Sequence, residues 1–210
     1  MGWTMRTLDR SRLGRAAARY AIHGWDVVPG AHFSGTRFHC DDLGCPTVGC
    51  HPATEHWQEL ATRDPALVEA WWQRTPYAVL LPTGRAFDVI EVPALLGLWA
   101  LRDAPRPPGP VAVSAAGRWM FLVSTGDGLR PELADQLDVV LHGAGSWIAA
   151  PPTREAVGRA RWHTSPEQVG WRLPASYEVQ DLLVRALGTA AWRLARPRGW
   201  PLGSTPAPAV

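Results

Sequence analysis

Two groups of residues in this 210-residue chain have types and spacings that could do chemistry. The first lies in FHCDDLGCPTVGCHPA, where Cys40, Cys45, Cys50 and His51 follow the pattern C-x4-C-x4-C-H, with His39 alongside. Thiolates and imidazoles converging from a short Gly/Pro-rich loop suit a tetrahedral Zn2+. The loop has no paired CxxC knuckles, and adjacent Cys50 and His51 compete to reach one ion. Which of Cys50, His51 and His39 completes the set is therefore open, and a loop of free thiols is the alternative. The zinc would be structural, pinning a stretch with little core of its own. The second group lies in PTGRAFDVIEVP, where Asp88 and Glu91 are the only acids of an apolar run. Carboxylates sharing one strand face can hold divalent cations. Strand side chains alternate, so residues three apart point to opposite faces unless a bulge intervenes. The alternative places Asp88 on the solvent side or against an Arg, with Glu91 favouring the positive end of the helix that follows.

Helices and strands must position these groups. Residues 11–23 set Leu13, Ala16, Ala17 and Tyr20 on one helical face, and WDVVPGA (25–31) is a short strand. Asp64 and Pro65 are an N-cap and a first helical residue, opening a helix whose stripe is Leu67, Val68, Trp71 and Trp72. YAVLLPTG (77–84) and AFDVIEV (86–92) are expected as neighbouring strands around a Thr-Gly-Arg turn. A helix over 94–103 precedes a proline-rich break. VAVSAA and RWMFLVST form a hairpin across Ala-Gly, PELADQLD is a short helix, and SWIAAPP and RARWHT are further strands. Ser176 opens a last amphipathic helix. The expected organisation is an extension (1–12), a domain (13–175) with its cysteine loop at 38–53, that helix (176–196) and a flexible tail (197–210). Hairpins mixed among helices make this an α/β chain of the α+β kind rather than a doubly wound sheet.

Composition narrows the function less. All 21 basic residues are Arg, which reads as codon bias, and a net charge of +2 permits nucleic-acid binding without demanding it. The opening residues lack the apolar core of a secretory leader, and no stretch of about 18 apolar residues occurs. A cytoplasmic protein is expected, and three cysteines within eleven residues favour a metal over disulfides there.

Taken in order, AARYAIHGWDVVPGA, the Cys-x4-Cys-Pro loop ending in HPA, ATRDPALVEAWWQR, LLPTGRAFDVIEVP, GSWIAAPPT and RARWHT resemble a known family. It is the N-terminal domain of bifunctional DNA primase/polymerases, the prim-pol branch of the archaeo-eukaryotic primase superfamily. The resemblance spans roughly residues 13–175 and is greatest to small stand-alone actinobacterial members. It implies an RRM-like antiparallel sheet flanked by helices, with a zinc-binding loop. It further implies Mg2+- or Mn2+-dependent nucleotide addition on DNA, and a role in replication or mobile elements.

The family's three chemical motifs are altered here. At the Asp-x-Asp motif Glu91 stands for the first acid and Pro93 for the second, leaving Asp88 at an odd offset. At the hairpin His stands Trp119, which cannot titrate but could stack on a base or join the core. Near the third motif's charged residue stands His142, before the turn leading to Ala-Pro-Pro-Thr. Arg85, Arg118, Arg154, Arg159 and Arg161 are candidate phosphate contacts or plain surface charge. The expectation is a prim-pol-like protein with degenerate motifs that binds single-stranded DNA or nucleotide, or a replication partner. An active polymerase would need a further acid, such as Asp127 or Asp138. A zinc-stabilised protein-interaction module is the remaining alternative.

Overall fold

The computed structural model describes residues 2–42, 44–47, 49–102, 104 and 106–195. The expected tail at 197–210 lies outside them. The first helix, α1 (Gly2–Ile22), begins inside the segment expected as an extension. It is followed by β1 (Val28–Gly30) and the small hairpin β2 (His32–Phe33) and β3 (Phe38–His39), then α2 (Trp57–Leu60) and α3 (Pro65–Arg74). As its sequence requires, Asp64 caps α3, its carboxylate accepting from Ala66 N at 2.9 Å, with Pro65 as the first helical residue. The centre of the chain supplies β4 (Ala78–Pro82), β5 (Asp88–Val92), α4 (Ala94–Arg102), β6 (Val111–Val113) and β7 (Trp119–Val123). Next come α5 (Pro131–Ala134), β8 (Val140–His142), β9 (Trp147–Ala149), β10 (Arg154–Glu155) and β11 (Gly158–Arg159). The series closes with β12 (Arg161–Thr164), a 3-10 turn over Pro166–Val169 and α6 (Ser176–Ala195).

The result is α+β with antiparallel sheets. A three-stranded sheet runs β1-β4-β9, and a five-stranded sheet runs β12-β6-β7-β5-β8. β4 and β5, expected as neighbours, belong to different sheets. The reason is the turn between them. Gly84 takes a left-handed φ of +85°, and its N–H closes onto Phe87 O at 2.9 Å. That turn carries the chain from one sheet to the other instead of folding it back.

The central strands β5, β6 and β7 read as near-continuous apolar sequence because both faces of the larger sheet are covered there. One face presents Val89, Ala112, Met120 and Leu122 to a core shared with α1, α3 and the smaller sheet. The other presents Ile90, Val92, Val111, Phe121 and Val123 to α4 and α6. Aromatic residues in the first core find partners for their polar tips. Trp72 Nε1 donates to Tyr77 O at 2.9 Å, and Trp162 Nε1 donates to the Tyr20 hydroxyl at 3.1 Å. Among the described residues no helix is long and apolar enough to cross a membrane.

Candidate catalytic cleft and metal centre

Register fixes the acids of β5. Asp88 pairs with Val123 and Glu91 with Met120, and the five pairs from 88 to 92 run without a shift. Alternation along this unbroken strand puts Asp88 on the α4/α6 face with Ile90 and Val92, and Glu91 on the opposite face with Val89. Asp88 is buried. One oxygen accepts from Gly126 N at 3.0 Å, and the other, Oδ1, has no hydrogen-bond partner among the described residues.

Glu91 is the hub of a polar cluster built from three adjacent strands and the turns that follow them. Arg118, just before β7, donates through Nε to Glu91 Oε1 at 2.7 Å and through an Nη to Asp138 O at 2.6 Å. His142, at the end of β8, lies with Nε2 at 2.9 Å from Glu91 Oε2 and Nδ1 at 3.0 Å from Ser146 Oγ. A carboxylate only accepts, so the proton on Nε2 points at Glu91. These partners, His142 foremost and then Arg118, hold the Glu91 carboxyl below its ordinary range against the opposing effect of burial. Glu155 on β10 accepts from Ala115 N at 3.2 Å, and its carboxyl is raised by burial and, secondarily, by the charge of Glu91.

The His142 turn is locked to the Gly84 turn. Thr83 Oγ1 donates to Gly143 O at 2.6 Å and Thr83 N to Ser146 O at 3.0 Å. A Cβ on Gly84 would stand 2.2 Å from Ala144 Cα, so only glycine permits this approach. A cavity of about 240 Å³ opens beside the lock, lined by Gly84, Arg85, Ala144, Gly145 and residues of α2.

This arrangement does not fit a two-metal cage. Both Glu91 oxygens are committed, Asp88 is on the far face, and Pro93 offers no ligand atom.

The cysteine loop fits a metal better. Cys40, Cys45 and His51 bring their ligand atoms within 4.8 Å of one another. Cys45 Sγ and His51 Nε2 are 3.5 Å apart, about the spacing tetrahedral Zn2+ imposes on one sulfur and one nitrogen. His51 Nδ1 bonds Gly49 O at 2.8 Å, which leaves Nε2 free to ligate. Hydrogen bonding from the Thr47 side chain lowers the Cys45 thiol below its usual range, toward the thiolate a metal requires. Cys50 stands outside the cluster, its thiol pushed up to about 12 chiefly by burial. His39 stacks on His32, ring centroids 5.0 Å apart.

The remaining candidates scatter. Trp119 is 8% exposed, packed on Gly97 of α4 and tilted against His163. Arg159 is paired with Asp9 at 2.7 Å, Arg85 lies 4.0 Å from the buried Asp26, and Arg154 sits 5.2 Å over the Phe33 ring. Arg161 is exposed on β12. Thr83, Ser146 and Glu155 were not legible as site residues. Ser146 carried one signal, its place in the GAGS turn four residues after His142.

Fold and site thus define an α+β protein whose main sheet carries an acid, an imidazole and a guanidinium at one edge of its inner face. The family model described as "Bifunctional DNA primase/polymerase, N-terminal" matches residues 17–176, and the chain belongs to that family. No curated protein matches the chain.

Proposed function

We propose that this prim-pol family protein binds nucleic acid or nucleotide and has lost efficient nucleotide transfer. The observation carrying this reading is the neutralised Glu91, whose two oxygens face Arg118 and His142. A metal-holding acid would need those oxygens free and a second acid on its own face. The family's RRM-like sheet is the matching architectural reading, supported by the antiparallel order β12-β6-β7-β5-β8 with α4 and α6 on one face. Zn2+ at Cys40, Cys45 and His51 would act as a structural pin, with Cys50 or His39 closing the set after local movement. A replication or mobile-element protein is the partner this family context suggests.

A rival reading, an active transferase using Mg2+ or Mn2+, draws on Glu155, whose carboxyl feels the charge of Glu91. Primer extension and de novo priming in Mn2+ decide between them. The proposed reading expects no incorporation above background, together with quenching of tryptophan fluorescence by single-stranded DNA at low salt. Incorporation abolished by Glu91→Gln would establish the rival.

A further inference from the structure

Away from the Glu91 cluster, a groove of about 350 Å³ runs between the C-terminal half of α1 and the segment that joins β9 to β12. Arg12, Arg15, Arg19 and Arg161 line it beside Trp162, and Glu167 is the lone carboxylate among its lining residues. Arg12, Arg15 and Arg19 stand at i, i+3 and i+7, one stripe of a helix. Arg19 is held by Glu167 at 3.0 Å. Among the described residues Arg12, Arg15 and Arg161 have no ion-pair or hydrogen-bond partner. Like charges one turn apart repel, so the stripe opposes the helix that carries it unless an anion sits against it. The floor is rigid. The Tyr20 hydroxyl donates to Pro151 O and accepts from Trp162 Nε1, fixing helix, loop and β12 together.

Guanidinium groups match phosphate oxygens in planar, forked geometry. Seven residues of helix span about 10 Å, longer than one phosphate needs. A half-buried indole at the groove wall adds a surface for a base or sugar. We propose that this groove is a polyanion site that takes the phosphates of a nucleotide, as the backbone of a single strand or as the triphosphate tail of a free nucleotide. The inference rests on the nucleic-acid reading above and gives it a location separate from the family's chemical motifs.

The test is fluorescence anisotropy of a labelled oligo(dT) at 50 mM salt and above, competed separately by unlabelled oligo(dT), dATP and inorganic phosphate. Variants are R12E/R15E and R161E, with R185E, at an exposed position of α6, as the control matched in charge to R161E and circular dichroism as the fold check. Two lost phosphate contacts remove about 1.4 from the log–log salt slope of single-strand binding, so R12E/R15E loses roughly tenfold or more in affinity at low salt. R161E weakens binding in the same direction, and R185E does not. Competition by dATP at micromolar concentration assigns the triphosphate, competition by oligo(dT) alone assigns the backbone, and competition by inorganic phosphate as strong as either overturns the polyanion assignment. Wild-type binding that R12E/R15E and R161E leave intact overturns the groove while the proposed function stands. A folded wild type that binds neither oligo(dT) nor dATP overturns both.

Discussion

Replacing Glu91 by Gln separates a structural ion-pair hub from a metal ligand. The side chains of Glu91, Arg118 and His142 are 21%, 28% and 20% exposed, between the surface and buried regimes. Exposed pairs contribute about 0–1 kcal/mol, and removing one partner of a buried pair costs about 3–5 kcal/mol. Gln keeps the shape and one acceptor but leaves two donors facing a neutral group, so the expected loss is about 2 kcal/mol. For a chain of this length that corresponds to roughly 4–8 °C in melting temperature. The pH dependence has a definite sign. Glu91 is held below its usual pKa when folded, so its contribution is complete above the unfolded carboxylate value near 4.3 and fades as pH falls through the folded pKa. The gap between wild type and E91Q should therefore be full at pH 7 and close in acid. Thermal unfolding followed by circular dichroism, with and without Mn2+, is the assay. A metal-holding carboxylate predicts the reverse pattern: E91Q as stable as wild type or more so without metal, and a Mn2+-dependent rise in wild type only. Either result would refute the ion-pair account.

Three further outcomes follow from the geometry. Purified protein should carry one zinc per chain, lost by Cys45→Ser, as read by elemental analysis; retention by Cys50→Ser would assign the fourth position to His39 and loss would assign it to Cys50. In the native protein Cys50 should resist alkylation at neutral pH, because burial keeps its thiol protonated; mass-resolved labelling that modifies Cys50 fastest would contradict this. Gly84→Ala meets both a left-handed backbone and the Ala144 main chain, so the loss should exceed about 3 kcal/mol in urea unfolding.

Local signals carried the helices well. Asp64 with Pro65 marks a helix start through one backbone donor that needs an acceptor and one residue that has no donor, and Ser176 is the first residue of its amphipathic helix. The Ala116-Gly117 hairpin was equally legible. Strand partnership was not, because pairing β5 with β8, or β6 with β12, depends on loop closure across distant sequence. The same limit applied to the site. Alternation alone separated Asp88 from Glu91, since it needs only one strand. Bringing Arg118 and His142 to Glu91 needs the registers of the two flanking strands, which no single segment encodes. In the cysteine loop, adjacency predicted competition between Cys50 and His51, and the folded loop resolves it by turning His51 toward the thiols.

The paired turns at Thr83–Gly84 and Gly143–Ser146 have a mechanical consequence. They are a rivet through which the chain passes twice between its two sheets, once into β5 and once out of β8. A molecule that pried His142 away from Glu91 would strain that fastening and tug β4 and β9 together. Occupancy at the sheet edge would then be felt in the smaller sheet without any contact there.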